Sequence, residues 1–328
     1  MESSNKILQA LGIPYSAILS VLFGLLLVSL PIGVFVVFDS EIGNDINYEF
    51  PISHLELFEG TDFYQSSIDV SIGDAFVVLW TFYVIIFVIA ILGPKHNFLE
   101  SLSPIISRGQ IDSSNYMLGI TKWFSILVFA SAIVTYLQDW IGIPTTPPMA
   151  ENELIQFFYV SLAPLIEEFG FRILLIGIPL FMMYSRRTSL KFFVKSLWHP
   201  SNLDIIDSKK AILLIVFVGV LFGFAHIAFG ESWSEGKFAQ ASIGGIILGW
   251  AYLRYGFVAS LLIHWATNYF IFAYANFVSQ VNSISIENAF THSLMSSLEL
   301  LLLVSGGISL TVLLVNRFYS KREPELEV

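Results

Sequence analysis

AILLIVFVGVLFGFAHIAF, Ala211 to Phe229, is nineteen residues of nearly unbroken apolar character holding a single histidine. At 1.5 Å per residue such a run forms a helix of about 30 Å, the thickness of bilayer hydrocarbon. Reading outward, seven further runs of this kind appear, roughly Tyr15 to Phe38, Ala75 to Leu92, Met117 to Leu137, Ile155 to Tyr184, Ala239 to Arg254, Phe257 to Val278 and Leu294 to Val315. The predicted fold class is therefore all-α, a polytopic integral membrane protein with about eight transmembrane helices forming one membrane domain over 1–328. With 55% hydrophobic and 13% charged residues, the composition excludes a soluble globular protein. The first run lacks a small-residue cleavage site, so it is expected to be a retained helix and not a signal peptide. Cysteine is absent, which rules out disulfides, a thiol nucleophile, thiolate metal sites and palmitoylation. No basic patch suggests nucleic acid.

The net charge of -10 conceals a segregation of signs along the chain. Arg186, Arg187, Lys191, Lys195, Lys209 and Lys210 crowd the segment from Ser185 to Lys210, which the positive-inside rule assigns to the cytoplasm together with its lipid headgroups. The segment 39–74 carries Asp39, Glu41, Asp45, Glu49, Glu56, Glu59, Asp62, Asp69 and Asp74 with no Lys or Arg, and is expected outside. Counting spans from either anchor puts both termini in the cytoplasm and leaves only Lys237 among the loop cations outside. A missed or extra helix would invert this pattern downstream.

Against that apolar background, three strings stand out: Glu167-Glu168-x-x-x-Arg172, Phe222-x-x-x-His226 and His264-x-x-x-Asn268. An ionisable group in lipid costs about 2.5 to 3.5 kcal/mol at a helix centre on insertion scales, so such groups mark function by default. Glu168 and Arg172 are four apart and can neutralise each other on one helix face. Glu167 lies about 100° further round, without a local partner, and suits a general base. Phe222 packs beside His226 one turn on, and His264 stands one turn before Asn268. Pro164 and Pro179 flank the first motif, and a proline kink before Glu167 is expected to open a wet pocket. The glycine pairs Gly219/Gly223 and Gly245/Gly249 are expected to let helices approach closely. Trp250 and Trp265 are read either as cavity lining or as lipid-facing and core residues.

These groups are sufficient for amide hydrolysis without a covalent intermediate. Glu167, with His226 orienting a water, takes its proton, while His264 and the Asn268 amide donate to the oxyanion. No metal is needed in this reading. Zinc held by His226, His264 and Glu167 is the competing assignment, although no HExxH helix is present. A transporter using the same charges as a proton or ion relay is the alternative from a different class, and an immunity or scaffold protein without catalysis is a third.

The strings EEFGFR at Glu167 to Arg172, FGFAH at Phe222 to His226 and GGIILGWAYLRYGFVASLLIHWATN at Gly244 to Asn268 resemble, in type and order, the motifs of the CPBP family of CAAX proteases and bacteriocin-processing enzymes, which includes the type II CAAX prenyl endopeptidases. The resemblance covers 154–268. It implies an intramembrane glutamate protease of a prokaryotic plasma membrane, with Glu167 and His226 activating water, His264 and Asn268 forming the oxyanion site, and Glu168 and Arg172 as the supporting pair. The implied partners are membrane lipid and a peptide or protein substrate cut near its C-terminus, in some members a prenylated one. Ile173 departs from the family's usual glycine and is expected to alter helix packing there. From the depths of Glu167 and His264 in their spans, tilt or a kink is needed to bring them to one level, and the cavity is expected to open towards the cytoplasm.

Overall fold

The structure, a computed structural model, describes residues 6–47, 71–108, 115–145, 152–187, 189–206, 208–228 and 234–320. Most of the acidic segment 39–74 thus lies outside the described residues. Its near end forms a short 3-10 turn at Glu41–Asp45, and its far end closes on Ser71, whose hydroxyl accepts from the Asp74 amide while Asp74 accepts from the Ser71 amide. This reciprocal capping box starts a helix at the point where the apolar run begins.

The chain is helical in all eight expected segments: α1 (Lys6–Phe38), α2 (Ile72–Leu92), α4 (Tyr116–Trp140), α5 (Glu153–Glu168) continuing into α6 (Ile178–Tyr184), α8 (Ser208–Ala228), α9 (Lys237–Tyr255), α10 (Phe257–Trp265) continuing into α11 (Ile271–Asn282), and α13 (Ser293–Ser320). Among the described residues six of these runs are long and apolar enough to cross a membrane alone. The other two, 153–184 and α9, are not among these six. Three short helices, α3 (Phe98–Arg108), α7 (Leu190–Trp198) and α12 (Ile286–Phe290), occupy segments read as loops. The sequence reading missed them because they are too short to span. Exposed Leu190, Val194 and Trp198 recur every four residues on α7 beside Lys191 and Lys195, the pattern of a helix lying in the headgroup plane.

The centre of the bundle is α10, all nine of whose residues are buried. A helix apolar on every side must be enclosed on every side, and α2, α4, α5 and α9 pack around it. It is entered from α9 through Gly256, whose φ of +87° is a left-handed conformation that only glycine adopts cheaply. A Cβ there would lie 2.7 Å from the Trp198 carbonyl oxygen at the end of α7, so this turn is buried beneath α7.

The α8–α9 contact is the most extensive between any two helices, and the expected glycines make it. A Cβ on Gly219 would fall 2.8 Å from the backbone nitrogen of Ile246, and one on Gly245 would fall 3.0 Å from the Cα of Gly219. Gly219→Ala is therefore expected to push α8 from α9, destabilise the protein by about 1–3 kcal/mol and lower activity at least tenfold by displacing His226. Gly244→Ala, whose Cβ meets nothing within 4 Å, is the matched control and should be silent. Thermal unfolding in detergent compares the two; equal midpoints would refute the close-contact argument.

Pro164 leaves α5 unbroken, contrary to the expected kink. The distortion comes later, as a π-helical segment over Phe169–Gly177, and it has a local cause. Pro179 cannot donate a hydrogen bond, and its ring crowds the carbonyl four residues before it; ahead of it the Ile178 N–H bonds five residues back, to the Ile173 carbonyl. Ile173 itself is buried in the main apolar core. A second π-helical segment, Ala266–Phe270, separates α10 from α11.

Candidate active site

Each π segment begins within two residues of a motif side chain. Glu167 and Glu168 end α5, with Arg172 inside the first widened stretch; His264 is the penultimate residue of α10, with Asn268 inside the second. Single-turn widenings of this kind re-aim side chains and recur at functional sites.

Glu168 and Arg172 form the expected pair, Oε2 to Nε at 3.1 Å, both essentially without solvent exposure. The other oxygen of Glu168 accepts from Nδ1 of His264 at 2.9 Å. Ser260, one turn before His264, is buried beside this pair, and its hydroxyl donates to the Phe257 carbonyl at 3.2 Å. The Arg172 guanidinium lies over the Phe222 ring at 4.8 Å, while its two terminal nitrogens find no hydrogen-bond acceptor among the described residues. Arg172, Glu168 and His264 thus tie α5 and its π extension to α10 by a buried chain of charge-assisted contacts.

Glu167 faces away from that chain, as its position on the helix predicts, towards two imidazoles. Its Oε2 lies 3.7 Å from Nε2 of His264 and 4.0 Å from Nε2 of His226, both longer than a hydrogen bond, and this buried oxygen accepts no hydrogen bond from the protein. Glu167 is the more open member of the cluster, its side chain 28% exposed against 7% for His264. Phe222 holds both rings: its own ring meets His226 edge-on at 4.6 Å and His264 at 5.7 Å, and its carbonyl accepts from His226 Nδ1 at 2.8 Å. A carbonyl can only accept, so Nδ1 of His226 carries the proton and, in the neutral ring, Nε2 presents a lone pair to Glu167.

Three helices therefore bring Glu167, Glu168, Arg172, Phe222, His226 and His264 into one cluster. Asn268 is half-buried one turn beyond His264, and no hydrogen bond or ion pair joins it to the other residues. The levels of Glu167 and His264 match because the α9–α10 turn is buried under α7, so a count from Phe257 starts inside the bundle and not at its surface. Trp265 belongs to the core, stacked on Tyr269 at 4.6 Å, and Trp250 is partly exposed. Lys237, which drew notice only as a topological exception, lies within electrostatic range of both Glu167 and His226. Among the described residues no group of three or more histidine or carboxylate side chains is arranged as a metal site.

Residues 151–270 match the family model of type II CAAX prenyl endopeptidases, Rce1-like. Over this segment the chain is similar to the CAAX protease family. Neither a search of the curated proteins nor one of the solved structures finds a match. The Rce1-like segment begins just before α5 and ends with the second π segment, so it encloses every residue of the cluster and nearly coincides with the 154–268 delimited by the motifs. The match supports a CAAX-type membrane protease at family level.

His226 is the nineteenth of the twenty-one residues of α8, and Gly223 meets Phe238 in the first turn of α9. The cluster therefore sits in the half of the bundle where α8 ends and α9 begins, away from the basic segment 185–210.

Proposed function

We propose that this protein is an intramembrane endopeptidase in which Glu167 activates water to cut a peptide bond near the C-terminus of a lipidated or membrane-bound substrate. The observation that carries the reading is the pairing of two acceptors, Glu167 Oε2 and His226 Nε2, 4.0 Å apart and each pre-oriented by its own helix. A water bound between them donates one proton to each, which leaves an oxygen lone pair aimed at a carbonyl carbon. Glu167 takes the first proton as the carbon–oxygen bond forms and returns it to the leaving amine.

His264 stabilises the oxyanion, and its tautomer follows from its partner. Nδ1–H is committed to the Glu168 carboxylate, so a donor at Nε2 requires the imidazolium. The Asn268 amide supplies a second donor once substrate is bound. Preorganised donors of this kind contribute about 2.7–4 kcal/mol each. The reading needs no metal; zinc on Glu167, His226 and His264 is the assignment it competes with.

The deciding experiment is cleavage of a farnesylated CAAX peptide library by the purified protein in detergent, with and without a zinc chelator. Undiminished cleavage in chelator is expected. Loss in chelator with recovery on adding zinc would move the three side chains to a metal centre, and no cleavage of any peptide would favour the transporter reading.

A further inference from the structure

We infer that α7 is a docking surface for anionic phospholipid: its exposed apolar row enters the acyl chains of the cytoplasmic leaflet, and Arg187, Lys191 and Lys195 hold phosphate headgroups at its rim. The inference is independent of the hydrolytic reading.

Successive residues on a helix turn by about 100°, which divides α7 (Leu190–Trp198) into three faces. Phe193, Ser196 and Leu197 face the bundle. The Phe193 ring meets Phe181 of α6 edge-on at 4.9 Å, Ser196 is buried, and a Cβ on Gly177, the last residue of the first π segment, would lie 3.0 Å from the Leu197 side chain. Leu190, Val194 and Trp198 recur every fourth residue on the next face, and all three are exposed. Lys191 and Lys195 follow about 100° further round, exposed as well. Arg187, just ahead of the helix, lays its guanidinium over the Phe192 ring at 5.0 Å, which keeps it beside the first turn of α7.

The way α7 is tethered selects what covers this surface. α6 ends at Tyr184 and α8 begins at Ser208, so a short helix strung between two membrane spans stays at the bilayer surface. Arg186, Lys209 and Lys210 share the segment, and cations at this density mark the cytoplasmic side, whose leaflet presents the negative surface. Apolar contact alone is satisfied by any lipid. A row of cations along one edge, with no carboxylate anywhere in α7, favours an anionic headgroup.

Docking at α7 also reaches the centre of the bundle. The Tyr252 hydroxyl donates to the Leu197 carbonyl at 2.6 Å, and the Trp198 ring meets Phe257, the first residue of α10, at 5.6 Å. Lipid held on the outer faces of α7 therefore braces the turn at Gly256 from which the central helix starts.

The test reads lipid and not cleavage. Native mass spectrometry of the protein in detergent, with phosphatidylglycerol and phosphatidylcholine added in equal amounts, should show the anionic lipid retained at least about fivefold over the zwitterionic one. Arg187→Gln/Lys191→Gln/Lys195→Gln should lose that preference. Lys95→Gln/Lys209→Gln/Lys210→Gln, which removes the same charge outside α7, should keep it. Because the chain has no cysteine, a spin label on Val194→Cys reports depth without background. In nanodiscs of the two lipids it should be relaxed more by oxygen, which concentrates among acyl chains, than by a water-soluble nickel chelate. Equal retention by the wild type and the α7 variant overturns the inference, as does loss of preference in both triple variants alike. A label relaxed more by the chelate would place the row in water, and one shielded from both reagents would mean that protein covers it; either overturns the inference too.

Discussion

Glu167→Gln is expected to lower cleavage of a farnesylated CAAX peptide by about 10³-fold while leaving the protein at least as stable as the wild type. The two halves of this expectation have one cause. Glu167 is a partly buried carboxylate whose Oε2 receives no hydrogen bond from the protein, so its charge is held at a cost in folding free energy and is useful only when a water arrives. The amide has nearly the same shape and removes the charge, which relieves that cost and abolishes proton transfer together. Initial rates in detergent and thermal unfolding of the same preparations check both halves. Cleavage within tenfold of wild type would remove Glu167 from the reaction, and a large fall in melting temperature would make it a structural residue.

Arg172→Met should produce the opposite pattern, a folding defect first and an activity defect as its result. Truncating one partner of a buried ion pair costs about 3–5 kcal/mol, because the other charge stays in a medium that cannot solvate it. Here the abandoned charge is Glu168, fully enclosed and left with only His264. Glu168→Gln alone abandons Arg172 in the same way. The double variant Glu168→Gln/Arg172→Met leaves no uncompensated charge, so it should unfold at a higher temperature than either single variant. Accumulation in the membrane and thermal unfolding in detergent measure the cycle; additive losses would mean that the two side chains do not act as a pair. The double variant should remain inactive, since His264 then lacks the carboxylate that orients its ring.

The contrast between these variants marks how far the sequence could be read. The assignment of Glu167 to chemistry and Glu168 to Arg172 followed from an angle of about 100° between successive residues on a helix, which depends on no tertiary detail. The alignment of Phe222 with His226 followed in the same way. What one helix cannot report is its neighbour: that His264 reaches Glu168, that Phe222 supports two rings, and that Lys237 comes near Glu167 depend on how α8, α9 and α10 pack. The π segments escaped because a periodicity argument assumes 3.6 residues per turn throughout, and Pro179 acts on the bonding of residues before it. The short α3 and α7 escaped because a search for spans ignores helices that lie flat.

The division of the bundle into helices that can stand alone in lipid and helices that cannot has a consequence for biogenesis. The segment 153–184, which carries both glutamates and the arginine, is not among the runs apolar enough to enter a bilayer unaided, and neither is α9. In the folded bundle α5 packs on α10, and α9 packs on α4, α8 and α10. The reactive carboxylate thus reaches its histidines only when the chain has been synthesised past α10 and assembled. On the proposed reading, a chain ending before α10 lacks His264 and so holds no complete centre.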